Sequence, residues 1–197
     1  MSKYVIFDLE MCKVGKHKRT EKFPYSKEII QIGAVMLNEN YSIIDRFSTY
    51  VAPQFGALDL KIINLTGITR DKLINAPTTE EALIRFSDWI PDDTILVEWS
   101  DNDREQIYDE LYGKDIYNDK LEDLLPDIID CQELFGEKMN NDRQYMLSEA
   151  LIIAAIDDYS DGAHDGLVDA INTAMLFRKI KTEKEFKLSP YLVQASA

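Results

Sequence analysis

The 197-residue chain is short of cysteine, of histidine and of positive charge, and each shortage narrows what it does. Its two cysteines, Cys12 and Cys131, match no zinc-ligand spacing and give no disulfide framework. They read as plain, partly buried thiols of a reducing compartment, so the expected location is cytoplasmic. No apolar run approaches the roughly 20 residues of a membrane span. The N-terminus has no h-region or cleavage site of a signal peptide. Lys and Arg number 22 against 36 Asp and Glu, a net charge of -14. That balance excludes an extended surface that coats nucleic acid, which is normally basic. It leaves room for an enzyme that grips a strand end with a metal and a few local cations. No internal repeat or low-complexity segment is present.

What is there begins with Lys3-Tyr-Val-Ile-Phe-Asp-Leu-Glu10, a stretch of β-branched, aliphatic and aromatic residues that predicts a buried strand. Alternation with period two puts Ile6, Asp8 and Glu10 on one face and Val5, Phe7 and Leu9 on the other. Two carboxylates therefore sit together at the end of an apolar strand, where charge is costly and joint ionisation is resisted. A divalent cation relieves both costs.

The remaining elements supply further ligands. After a cationic stretch with Lys13, Lys16, His17, Lys18, Arg19 and Lys22, Glu28–Leu37 and Tyr41–Val51 predict an antiparallel hairpin. Gln54–Asp59 and the Asn64-Leu-Thr-Gly-Ile68 segment read as loop, with a short helix from Thr69. Pro77-Thr-Thr-Glu-Glu81 starts a helix, with a Thr cap and acids in the first turn. Its Ala82, Leu83, Phe86, Trp89 and Ile90 fall on the core side. Thr94–Glu98 is a further strand, and Asp103 follows where it joins the helix Arg104–Leu111. Pro126–Asp130 reads as a last short strand, Cys131–Phe135 and Tyr145–Ile156 as helices. His164 lies in a loop before the helix Leu167–Ile180, whose first turn holds Asp169. Strands followed by alternating helix and strand give an α/β domain with a mixed sheet. Asp101, Asp165 and His17 read as solvated, Trp99 as packing, and Tyr145 and Met146 as helix core.

Asp8, Glu10, Asp103 and Asp169 are hard oxygen donors that suit Mg²⁺ or Mn²⁺. A pair of such ions is the usual equipment for cleaving a phosphodiester. Imidazole titrates near neutral pH, which suits His164 to take a proton from water.

The motifs Phe7-Asp8-Leu9-Glu10, Trp99-Ser-Asp-Asn-Asp103 and His164-Asp-Gly-Leu-Val-Asp169, in that order, resemble the DEDDh group of 3′–5′ exonucleases. That group includes RNase T, Eri-type enzymes and the epsilon-type subunit of DNA polymerase III. EIIQIGAVML and NLTGIT also look like segments of that family, so the resemblance spans roughly residues 3–180. It implies a ribonuclease H-like fold, a mixed five-stranded sheet flanked by helices, with the exonuclease domain over 1–180 and a tail of uncertain structure over 181–197. It implies hydrolysis of single-stranded RNA or DNA from the 3′ end to nucleoside 5′-monophosphates with two Mg²⁺ or Mn²⁺ ions. Asp8 would bridge the ions, Glu10 and Asp169 would hold one, and Asp103 would support the other. His164 would be the general base, and Leu65 and Ile68 would pack against terminal bases. The implied partners are single-stranded 3′ ends, with no membrane, and either a homodimer or a polymerase or other protein. Two departures stand out: Met11-Cys12 replace the Thr common after Asp-x-Glu, and the basic stretch lengthens the next loop.

A haloacid-dehalogenase reading fits poorly, because the second acid is Glu10 and no Gly-Thr follows. A catalytically silent nuclease-like module that binds nucleic acid or protein is the other alternative. Such modules usually lose a ligand, whereas all five positions are intact here.

Overall fold

The computed structural model describes residues 3–156 and 164–184. Strands β1 (Lys3–Lys13), β2 (Lys27–Leu37) and β3 (Ile43–Tyr50) form an antiparallel meander. Helices α1 (Leu60–Thr66), α2 (Arg70–Leu73) and α3 (Thr79–Trp89) follow, then β4 (Thr94–Glu98), which pairs in parallel with β1. Next come α4 (Asn102–Gly113), α5 (Asp119–Leu124) and the two-residue β5 (Ile129–Asp130), parallel to β4. Helices α6 (Cys131–Lys138), α7 (Leu147–Ile153) and α8 (Gly166–Thr182) complete the described chain. The sheet order is β3-β2-β1-β4-β5, the mixed five-stranded sheet expected.

The alternation along β1 divides the core. Val5, Phe7 and Leu9 pack with Leu83 and Phe86 of α3 and Ile107 and Leu111 of α4. Ile6 lies on the other face, in the layer of Val35, Val97, Phe135, Leu151 and Phe177 beneath α6, α7 and α8. Beyond Glu10, Cys12 continues that second face and is buried with Ile30, Ile62, Ile68 and Leu73 under α1 and α2. Both thiols are fully buried, more deeply than expected. Among the described residues no helix is long and apolar enough to cross a membrane.

Several expectations need correction. The NLTGIT segment is not all loop: α1 runs through Thr66, started by the Asp59 side chain, which accepts from Ile62 N at 2.8 Å, and stopped by Gly67 in the left-handed region. Seven residues are too few to show a helical period. Helix α5, absent from the sequence reading, is capped by Asn118, whose side chain accepts from Leu121 N. The strand expected over Pro126–Asp130 shrinks to two residues because a 3-10 turn takes Leu125–Asp127. Met146 is not core: it is 70% exposed, just ahead of α7.

One buried ionic cluster ties the loop after β3 to α4. Glu28, fully buried, accepts from the backbone N–H groups of Gln54, Phe55 and Gly56. Lys114 lies 2.5 Å from Glu28 and 2.7 Å from the buried Glu110, whose other oxygen accepts from Ile29 N at 2.7 Å. Removing the cation strands two buried carboxylates. Lys114→Met is expected to cost about 3–5 kcal/mol, read as a lower midpoint in urea denaturation; an unchanged midpoint would mean that the cluster does not hold the loop.

Candidate active site

Asp8 and Glu10 share a face of β1, Asp8 half-buried and Glu10 8% exposed. Opposite them on β2 stand Gly33 and Gln31. The missing side chain at Gly33 is what admits α8: a Cβ there would overlap the backbone of Gly166 and Leu167. A Cβ on Gly166 would in turn come 2.9 Å from the Asp8 carbonyl oxygen. The helix start therefore rests directly on the strands. Gln31, buried beside Glu10, fixes it by accepting from Gly166 N at 3.2 Å. Asp165 is the helix cap, accepting from Leu167 N and Val168 N, and so has a structural task beyond the solvated role expected.

This seating brings Asp169 and His164 to the carboxylates on β1. Ligand atoms of Glu10, His164 and Asp169 lie within 4.8 Å of one another. His164 has φ 66, an unusual conformation for a residue with a side chain. Its backbone N–H donates to Asp169 Oδ2 at 3.1 Å. The side chain of the buried Asn172, one turn on, also bonds to Asp169.

Asp103 arrives from the opposite layer. It sits in the first turn of α4, 7% exposed, and its carboxylate accepts from the backbone N–H of Leu9, between Asp8 and Glu10. Trp99, which begins the connection from β4, is buried and donates to the Tyr145 carbonyl at 3.2 Å, the packing role expected. Asp101 is exposed, as expected.

The acids disfavour one another's ionisation. Burial first, then Asp103, Asp169 and Glu10, hold Asp8 well above the usual carboxylate range. Burial and then Asp169 push Glu10 up to about 8. Burial and then Glu98 raise Asp103, and burial raises Asp169. Glu98 was missed in the sequence reading. It is fully buried at the end of β4, accepts from Arg104 N at 2.9 Å, and is raised to about 7, chiefly by burial. The logic that singled out Glu10, a charge closing an apolar strand, applies equally to Thr94-Ile-Leu-Val-Glu98.

Oxygen donors that repel one another fit a divalent cation of the Mg²⁺ or Mn²⁺ kind. A cleft of about 550 Å³ opens beside them, lined by Asp8, His164, Asp169, Trp99 and residues 144–148. Of the residues expected to meet terminal bases, Leu65 is 42% exposed on α1. Ile68 is fully buried against Cys12 and Ile30, so in this conformation it supports α1 from beneath and has no free surface for a base.

With that geometry in view, the likeness to known proteins is specific. The RNase T exonuclease family model matches residues 5–177, and the chain belongs to that family. DNA polymerase III PolC-type of Staphylococcus aureus is 39% identical over 89 residues, 45% of this chain; the match spans 6% of that protein's length. The nuclease domain of 3′hExo, a DEDDh family member solved with rAMP, superposes with TM-score 0.77 at 23% identity over 95% of this chain and 96% of that one. Escherichia coli Exonuclease I with a dT13 oligonucleotide gives TM-score 0.67 at 18% identity, covering 99% of this chain and 43% of that one. The fold is the ribonuclease H-like one expected.

The raised acids fix a pH dependence. Glu10 binds its proton more tightly folded than unfolded, so its contribution to stability is present below 4.5 and lost as pH rises through 8. In EDTA the melting temperature should fall between pH 5 and 8. Millimolar Mn²⁺ should restore about 5 °C or more at pH 8 and much less at pH 5. A flat EDTA profile with no response to Mn²⁺ would contradict the cluster's electrostatics.

Proposed function

We propose that this chain is a divalent-metal-dependent 3′–5′ exonuclease that hydrolyses single-stranded RNA or DNA to nucleoside 5′-monophosphates. The observation that carries the reading is the convergence of Asp8, Glu10, Asp103, His164 and Asp169 from β1, α4 and the start of α8, inside a chain of the exonuclease family. Asp8, between the other acids, would touch both ions; Glu10 and Asp169 would hold one, and Asp103 the other. Two such ions would supply positive charge for the attacking oxygen and the leaving 3′-oxygen.

The protein's own residues do the rest. His164, exposed at the cleft, takes the proton from the attacking water, and its backbone bond to Asp169 ties the base to the ligand set. Leu65, an exposed apolar residue of α1, packs against the terminal base and limits entry to unpaired ends. Gln31 and the Gly33–Gly166 contact keep α8 in register. Among the relatives, 3′hExo was solved with a ribonucleotide and Exonuclease I with a deoxyribonucleotide strand, which supports either sugar as substrate. Likeness to part of a PolC-type polymerase supports a setting beside a polymerase, and a homodimer is the other arrangement compatible with the family.

The test is digestion of matched 5′-labelled RNA and DNA oligomers in Mg²⁺, Mn²⁺ or EDTA. A ladder shortening from the 3′ end in metal alone is expected. Asp8→Ala and Asp169→Ala should each lower the rate about 10³-fold or more, and His164→Ala about 10²–10⁴-fold, all with the wild-type fold by circular dichroism. Undiminished hydrolysis in both aspartate variants would sink the site assignment.

A further inference from the structure

The basic segment between β1 and β2 has no part in the chemistry above, yet it is built rather than left loose. Phe23, fully buried, stacks on Phe55 at 5.0 Å and anchors the segment's far end. Val14 N donates to the Ser26 carbonyl, Lys18 N to that of Gly15, and Phe23 N to Thr20 Oγ1. Arg19 Nε donates to the Val14 carbonyl. Lys22 is bound to Asp115.

Lys13, Lys16 and Lys18 remain exposed and, among the described residues, make no ion pair. Where the far end of the segment meets the end of α4, the packing brings tyrosines to the surface. Gly113 leaves the room that Phe23 and Tyr25 fill, Tyr117 lies near Lys22 and is 85% exposed, and Tyr112, 62% exposed, stacks on Tyr108. Unpaired cations at one end of the segment and exposed aromatic faces at the other, in a chain of net charge -14, are complementary to phosphates and unstacked bases. Lys13 is three residues beyond Glu10 on the same strand, about 10 Å along it.

Resting on the exonuclease reading, we propose that Lys13, Lys16 and Lys18, with Tyr112 and Tyr117, grip the single-stranded substrate upstream of the nucleotide being removed. The grip acts through phosphates and base stacking, so it does not depend on sequence. It favours long strands over short ones and weakens with salt.

Two measurements separate this proposal from the reading on which it rests. Fluorescence anisotropy of a labelled single strand of about 20 nucleotides, taken in EDTA, reads the grip without hydrolysis. The combined variant Lys13→Gln, Lys16→Gln, Lys18→Gln should bind about ten-fold more weakly in low salt. It should lose about 2 from the slope of log affinity against log salt. Tyr117→Ala should weaken binding without changing that slope. Hydrolysis of the p-nitrophenyl ester of thymidine 5′-monophosphate, which has no upstream strand, should be unchanged in every variant. Equal affinity and slope in wild type and triple variant overturn the grip, whatever the enzyme cleaves. A grip lost in the variant alongside a wild type that cleaves neither substrate in metal upholds the grip and overturns the exonuclease.

Discussion

The mutual repulsion of carboxylates at one end of the sheet is the constraint around which the molecule is arranged. Burial raises the proton affinity of Asp8, Glu10, Asp103 and Asp169, and neighbouring carboxylates raise it further. A protein selected only for stability would replace them with apolar side chains, because such a cluster costs stability wherever it is ionised. Its retention makes sense when a divalent cation offsets the charge and is then put to use.

Holding that cluster demands unusually close backbone packing. The N-terminus of α8 rests on β1 and β2 because positions 33 and 166 lack side chains, and Gln31 adds a directional bond from the strand to the helix. The positive end of that helix faces the acids, a favourable placement for negative charge. Asp103 reaches the same point from the other layer by accepting a bond from Leu9, so the two layers meet at β1. The ionic cluster of Glu28, Lys114 and Glu110 fixes the loop behind Cys12 and α1, which carries Leu65.

Much of this was legible in the sequence for a physical reason. Period-two alternation over Lys3–Glu10 is strong in a strand buried on both faces, and it alone places Asp8 and Glu10 on one face. The start of α3 is equally local: the Thr-Thr-Glu-Glu stretch carries its own cap, and the structure assigns it to Thr78, which forms a capping box with Glu81. What was not legible depends on contacts distant in sequence. Glu98 bears on Asp103 only because the start of α4 folds back on the end of β4, and Asp165 is a cap only because α8 begins at Gly166. Ile68 reads as available in NLTGIT, yet α1 folds over it and buries it against Cys12. Helices α1 and α5, of seven and six residues, are too short for a period and owe their existence to Asp59, Gly67 and Asn118.

The most direct test of the central claim is calorimetric titration of Mn²⁺ into the metal-free protein at pH 7, repeated in two buffers of different ionisation enthalpy. If the carboxylates hold protons that the cation displaces, the apparent binding heats will differ between buffers by an amount that reports net proton release. Glu10→Gln will bind the ion more weakly and release fewer protons. Binding with identical heats in both buffers, or no binding at all, would contradict the account of the cluster.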